Sequence, residues 1–147
     1  MKIAIGCDHG GFELKEAIVE HLGKRGFEVL DLGIHECKSV NYPEIAVKVG
    51  SAIQNDEADL GILVCGTGIG MSIAANKMKG IRAAVVSDYF SAKFTRLHNN
   101  TNILCLGGRV VGIGLGLELV DVFVDTEYEG GRHQTRLDMI ADIENNR

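Results

Sequence analysis

Short β-branched apolar runs alternate along the chain with longer segments whose apolar residues recur every three or four positions. Lys2–Cys7 follows the first pattern and predicts a strand. Gly10–Arg25 follows the second and predicts a helix with Phe12, Ala17, Ile18 and Leu22 on its inner face. Gly26 suits the left-handed residue just past a helix end. Phe27–Leu32 predicts a second strand, a loop runs on to Tyr42, and Pro43 takes the first-turn position of a helix reaching about Asn55. Leu60–Cys65 predicts a third strand, followed by a glycine-rich turn and a helix from about Met71 to Met78. A fourth strand is expected over Ile81–Ser87, a helix over Tyr89–Leu97 and a fifth strand over Asn102–Leu106. Helices near Val111–Val124 and Gln134–Asn145 finish the chain, although Gly112, Gly114 and Gly116 make a weak helix interior.

Strands and helices alternating at this spacing imply a five-stranded parallel sheet covered on both faces. Ligands of such folds bind at the carboxyl ends of the strands. Four segments stand there: Cys7-Asp8-His9, Cys65-Gly66-Thr67, Ser87-Asp88 and Gly107-Gly108-Arg109. The length of 147 residues fits a single domain over 1–147, with no internal repeat or low-complexity tract. A hydrophobic content of 46% supplies a substantial core. Nineteen glycines against one proline point to many tight turns rather than a flexible linker.

Charge and cysteine usage narrow the function classes. Twenty acidic against fifteen basic residues leave a net charge of −5, the wrong balance for general nucleic-acid binding. The apolar runs are too short to cross a bilayer, and the amino terminus enters a strand pattern directly. Cys7, Cys37, Cys65 and Cys105 form no Cys-x-x-Cys pair, which argues against a zinc knuckle and suits a reducing cytoplasm.

Candidate chemistry gathers at Cys65-Gly66-Thr67-Gly68-Ile69-Gly70. This Gly-x-Gly-x-Gly turn lacks the Lys-Ser/Thr ending of a P-loop and the spacing of a dinucleotide fingerprint; Asp31 without that fingerprint does not mark a ribose site. Amides at a helix start favour an anion, so Cys65 is either a base or nucleophile at the mouth of an oxyanion-binding loop or a small core residue. Cys7 and Cys105 read as core and Cys37 as a loop residue. His9 and His98 are acid–base candidates near a strand end and a helix end, whereas His21 and His35 read as surface groups. Arg132 and Arg136 straddle the expected start of the last helix, Arg109 follows the fifth strand, and all three suit phosphate oxygens. The residues alone thus describe an anion-binding α/β domain.

An ordered set of segments resembles the B-type ribose-5-phosphate isomerases. They are Gly6-Cys7-Asp8-His9-Gly10-Gly11-Phe12, Asn41-Tyr42-Pro43, the glycine turn, Ala74-Ala75-Asn76-Lys77, His98-Asn99-Asn100-Thr101-Asn102, Gly108-Arg109-Val110-Val111-Gly112 and Tyr128-Glu129-Gly130-Gly131-Arg132-His133. The resemblance implies a three-layer α/β/α Rossmann-like fold and a homodimer with active sites at the interface. It implies a small phosphorylated sugar as substrate and neither metal nor nucleotide cofactor. Carried over, Cys65 moves a proton between C2 and C1 through a cis-enediolate, assisted by Thr67. The amides of Gly66, Gly68, Ile69 and Gly70, with Asn99, hold the oxyanion. His98 opens the furanose ring with Asp8, Tyr42 lines the sugar site, and His9, Arg132, Arg136 and Arg109 bind phosphate. Another branch of the family places a glutamate where this chain has Met71, which favours Cys65 as base. Three other readings stand beside this one: a hexose 6-phosphate isomerase, a non-catalytic phosphosugar sensor, and a metal-dependent enzyme using Asp8, His9 and His98.

Overall fold

Three strands are buried almost from end to end, which is why their sequences read as continuous apolar runs rather than as alternation. The computed structural model describes residues 1–146. The strands are β1 (Lys2–Cys7), β2 (Glu28–Asp31), β3 (Leu60–Cys65), β4 (Ala83–Val85) and β5 (Ile103–Gly107). They form one sheet in the order β2-β1-β3-β5-β4, every pairing parallel. The helices are α1 (Phe12–Lys24), α2 (Tyr42–Gln54), α3 (Ile69–Ala75), α4 (Tyr89–Asn99), α5 (Ile113–Asp125) and α6 (Arg132–Asn145).

Successive side chains of each strand divide the core. Ile3, Ile5, Ile62, Val64, Leu104 and Leu106 pack with Leu14, Ile18 and Leu22 of α1 and Leu119, Val120 and Phe123 of α5. Ala4, Leu63, Cys65, Ile103 and Cys105 pack with Ile45, Ala46 and Val49 of α2 and Met71 and Ala75 of α3. The result is a three-layer α/β/α fold of the Rossmann-like kind.

Several local expectations shift for physical reasons. The inner face of α1 is Leu14, Lys15, Ile18 and Leu22, with Phe12 and Ala17 only half-buried at its margin. Lys15 is fully buried because its ammonium meets Asp31 at 2.8 Å and Glu16 beside it. Asp31 is therefore a structural counter-ion. α3 starts at Ile69 rather than Met71, since Gly68 at φ +80° turns the chain directly into the helix. It stops before Asn76, whose side chain donates to Ser72 O and bonds both the N–H and the C=O of Ala83. β4 keeps only three of its expected residues; ahead of it, the Arg82 N–H is taken by the Asn102 side chain at 2.8 Å. Gly112 becomes the cap of α5 rather than part of it. Gly116 lies inside α5 where a Cβ would stand 2.7 Å from Leu14 Cδ1, so the missing side chain lets α5 approach α1.

The topology also sets the place of the site. From β1 the chain crosses to β2 on one side and then to β3 on the other, so the connections leaving β1 and β3 part from each other. Crevices of this kind hold the ligands of open parallel sheets. Gly11 lies beneath this crevice, where a Cβ would fall 2.4 Å from the Val64 carbonyl oxygen; Gly23, near the end of α1, has open space instead. Gly11→Ala is expected to cost about 2 kcal/mol by overpacking against backbone, and Gly23→Ala to gain about 0.5 kcal/mol, as read from urea midpoints.

Candidate active site

Cys65 ends β3, and its sulfur accepts the Gly68 N–H at 3.0 Å. The loop thus folds back on the thiol, which is 5% exposed. Thr67 Oγ1 accepts the Ile69 N–H at 3.3 Å. The neighbouring loops close in through backbone: Gly108 N–H donates to Cys65 O at 2.7 Å and Arg109 N–H to Gly66 O at 3.0 Å. A Cβ on Gly10 would lie 2.8 Å from Gly66 N, so glycine is what allows these strand ends to meet. The Arg109 side chain lies over Gly66. Tyr42, first residue of α2, covers Gly70, where a Cβ would come within 2.8 Å of its ring. Asp8 is buried and accepts the Gly10 N–H at 2.8 Å through Oδ1. His9 and Arg109 wall an adjoining cavity of about 610 Å³ that also touches Cys37 and the start of α5.

The remaining candidates lie elsewhere. β4 and β5 are parallel, so α4 must run back and finish at the edge where β5 begins. His98 and Asn99 are its last residues, while Cys65 ends a six-residue strand at the other edge. β5 begins at Ile103, level with Gly61 and four residues short of Cys65, so at about 3.3 Å per residue roughly 13 Å of sheet lies between the start of β5 and Cys65. Arg132 and Arg136 belong to the same distant group. Both lie inside α6, one turn apart on one face, rather than straddling its start.

This second cluster has its own order. The His98 and His133 rings stack with centroids 4.1 Å apart and planes 14° apart, and Phe94 meets His98 edge-on at 4.8 Å. Glu129 Oε2 is 3.6 Å from His98 Nε2 and 3.5 Å from His133 Nε2. Burial, then the neighbouring His98 charge, lowers the His133 pKa against the opposing pull of Glu129. The buried side-chain polar atoms lacking a partner among the described residues are Arg96 Nε, Tyr128 OH and His133 Nε2, all in this part of the chain. A metal bound by Asp8, His9 and His98 together is ruled out within one protomer by the same separation. The ligand atoms of His98, Glu129 and His133 lie within 4.8 Å of one another. Their near-parallel rings, however, do not aim their lone pairs at one point.

A family model described as ribose/galactose isomerase matches residues 3–140. The chain belongs to the ribose/galactose isomerase family. Within this family it is 52% identical to ribose-5-phosphate isomerase B of Escherichia coli, over 99% of this chain and 98% of that one. The solved ribose-5-phosphate isomerase B of Clostridium thermocellum superposes with a TM-score of 0.98 at 52% identity, covering 99% of both chains. A Mycoplasma genitalium ribose-5-phosphate isomerase B solved with bound ribulose 5-phosphate gives 0.94 at 42% identity, covering 99% of this chain and 97% of that one.

Glu129 and His133 are the pair that sequence reasoning underused. Their i, i+4 spacing across Gly130-Gly131 was the available signal, since the two glycines at φ +70° and +57° fold the loop so that both side chains meet His98. The surface readings of other groups fit their surroundings: His21 binds Asp121 at 2.7 Å on α5, and His35 is exposed. Cys7 and Cys105 are buried strand residues, and Cys37 is an exposed thiol. Burial pushes the Cys7 thiol from 9.0 up to about 11, against the pull of Lys15, and raises Cys105 further. Between pH 9 and 11 the unfolded chain releases the Cys7 proton while the native state keeps it, so stability falls as pH rises through that window. Cys7→Ala is expected to flatten this decline by roughly 2 kcal/mol when urea midpoints at about pH 8 and 10.5 are compared.

Proposed function

We propose that this chain interconverts D-ribose 5-phosphate and D-ribulose 5-phosphate at sites shared by two copies of itself. The separation of Cys65 from His98 carries the shared-site reading. Cys65, Thr67, Asp8, His9 and Arg109 stand at one edge of the sheet of one protomer, and His98, Asn99, Arg132 and Arg136 at the other. Full-length likeness to ribose-5-phosphate isomerases, one holding ribulose 5-phosphate, supports the substrate.

His98, from one copy, faces Asp8 of the other, and together they move the O1 hydroxyl proton to the ring oxygen as the C1–O4 bond breaks. The Cys65 thiolate then takes the C2 proton of the open aldose, and the electron pair moves into a C1–C2 double bond with negative charge on O1. The amides of Gly66, Gly68, Ile69 and Gly70, together with Asn99, hold that oxyanion of the cis-enediolate. Cys65 returns its proton to C1, O2 becomes the ketone oxygen as its proton passes to O1, and Thr67 steadies the sulfur. Tyr42 lines the sugar, and His9, Arg109, Arg132 and Arg136 take the phosphate. Met71 is fully buried, so no carboxylate stands at the position where the other branch of the family carries its glutamate.

The dimer also has a surface to form on. Ile69, Ile73, Val85, Tyr89 and Phe90 are large apolar side chains left more than 40% exposed around the glycine loop, β4 and the start of α4. We read the compartment as the cytoplasm. Four unpaired cysteines suit a reducing environment, and among the described residues no helix is long and apolar enough to cross a membrane.

Cys65→Ala is expected to abolish conversion while leaving inorganic-phosphate binding nearly intact; normal turnover would remove Cys65 as base. Cys65→Ala and His98→Asn, each inactive alone, are expected to recover about a quarter of wild-type activity when unfolded and refolded together. In the mixed dimer one site carries both defects and the other carries none. No recovery, with mixed dimers shown to form, would place each whole site within one copy.

A further inference from the structure

Glu129 and His133 have no part in the steps above, yet they surround the histidine assigned to ring opening. Glu129 is anchored beside it, since its N–H donates to Leu97 O at 3.0 Å. Its carboxylate is half exposed and reaches His98 Nε2 at 3.6 Å, a gap that a small side-chain rotation closes to a hydrogen bond. His98 itself has little freedom, held between the edge of Phe94 and the face of His133.

We propose that Glu129 is a positioning residue that accepts the Nε2 proton of His98, leaving Nδ1 as the nitrogen presented to the sugar, with His133 as the wall that keeps the ring in place. This rests on the reading that His98 opens the ring. An unanchored imidazole divides between two tautomers, and only one of them offers the sugar an accepting nitrogen. The charged and titratable groups around the pair are Glu129 from the preceding loop and His133, Arg132 and Arg136 from α6. His133 is the rival for Glu129, since its buried Nε2 has no partner and lies 3.5 Å from the same oxygen. Burial and then the charges of His98, Arg132 and Arg136 lower the His133 pKa, against the pull of Glu129.

The test separates ring opening from proton transfer. Ribose 5-phosphate reaches the site as a furanose. Ribulose 5-phosphate, with its terminal oxygen phosphorylated, is open-chain, so exchange of its C1 proton with D₂O needs no ring opening. Glu129→Gln is expected to slow conversion of ribose 5-phosphate by about tenfold to a hundredfold in kcat, with KM and C1 exchange within about twofold of wild type. Nitrogen-15 NMR should show His98 protonated at Nε2 in the wild type and losing that preference in the variant. An undiminished forward rate, equal loss of exchange, or an unchanged tautomer would overturn the proposal. His98→Asn is the control: if it spares the forward rate, the ring-opening role of His98 fails, and the assignment of Glu129 fails with it.

Discussion

In a sheet whose strands all run one way, every connection leaves at one edge and returns at the other. The loops after β1, β3 and β5 therefore crowd together, and glycines at 10 and 108 let their backbones touch where any side chain would separate them. The same rule sends the end of α4 to the far edge, with His98 on it. One protomer consequently holds the Cys65 loop and the His98 cluster at opposite edges of its sheet, a separation that follows from strand direction alone.

Much of this was readable in the sequence. The β3 run and the glycines after it fixed the position of Cys65, because a fully buried strand followed by Gly-x-Gly-x-Gly admits little but a tight turn into a helix. The distribution of the remaining groups was not readable. Nothing in the spacing of His98, Arg132 and Arg136 says which edge of the sheet they occupy. Lys15 escaped notice because a lysine on a helix normally faces water, and its burial depends on Asp31, sixteen residues away on another element. The length of β4 was overestimated for a similar reason: Asn76 and Asn102 replace the ladder there with side-chain bonds that no local propensity encodes.

The two clusters also differ in how completely they are satisfied. Around Cys65 the Gly68 and Ile69 amides meet the Cys65 sulfur and Thr67 Oγ1, and the Cys65 and Gly66 carbonyls accept from Gly108 and Arg109. Beside His98 the buried His133 Nε2 has no hydrogen-bond partner, and one carboxylate stands between two imidazoles. A buried polar group left this way gains more from ligand or partner contact than one already paired, because each new hydrogen bond there replaces none.

The bonds of Asn76 to Ala83 reach further than the boundary they set. By taking the outward N–H and C=O of Ala83, this one side chain imitates the strand that would otherwise extend the sheet past β4. β2, at the opposite margin, is only four residues long. A parallel sheet with blunted margins offers little template for another chain to add itself edge to edge, so the protein can expose apolar surface without inviting fibre growth.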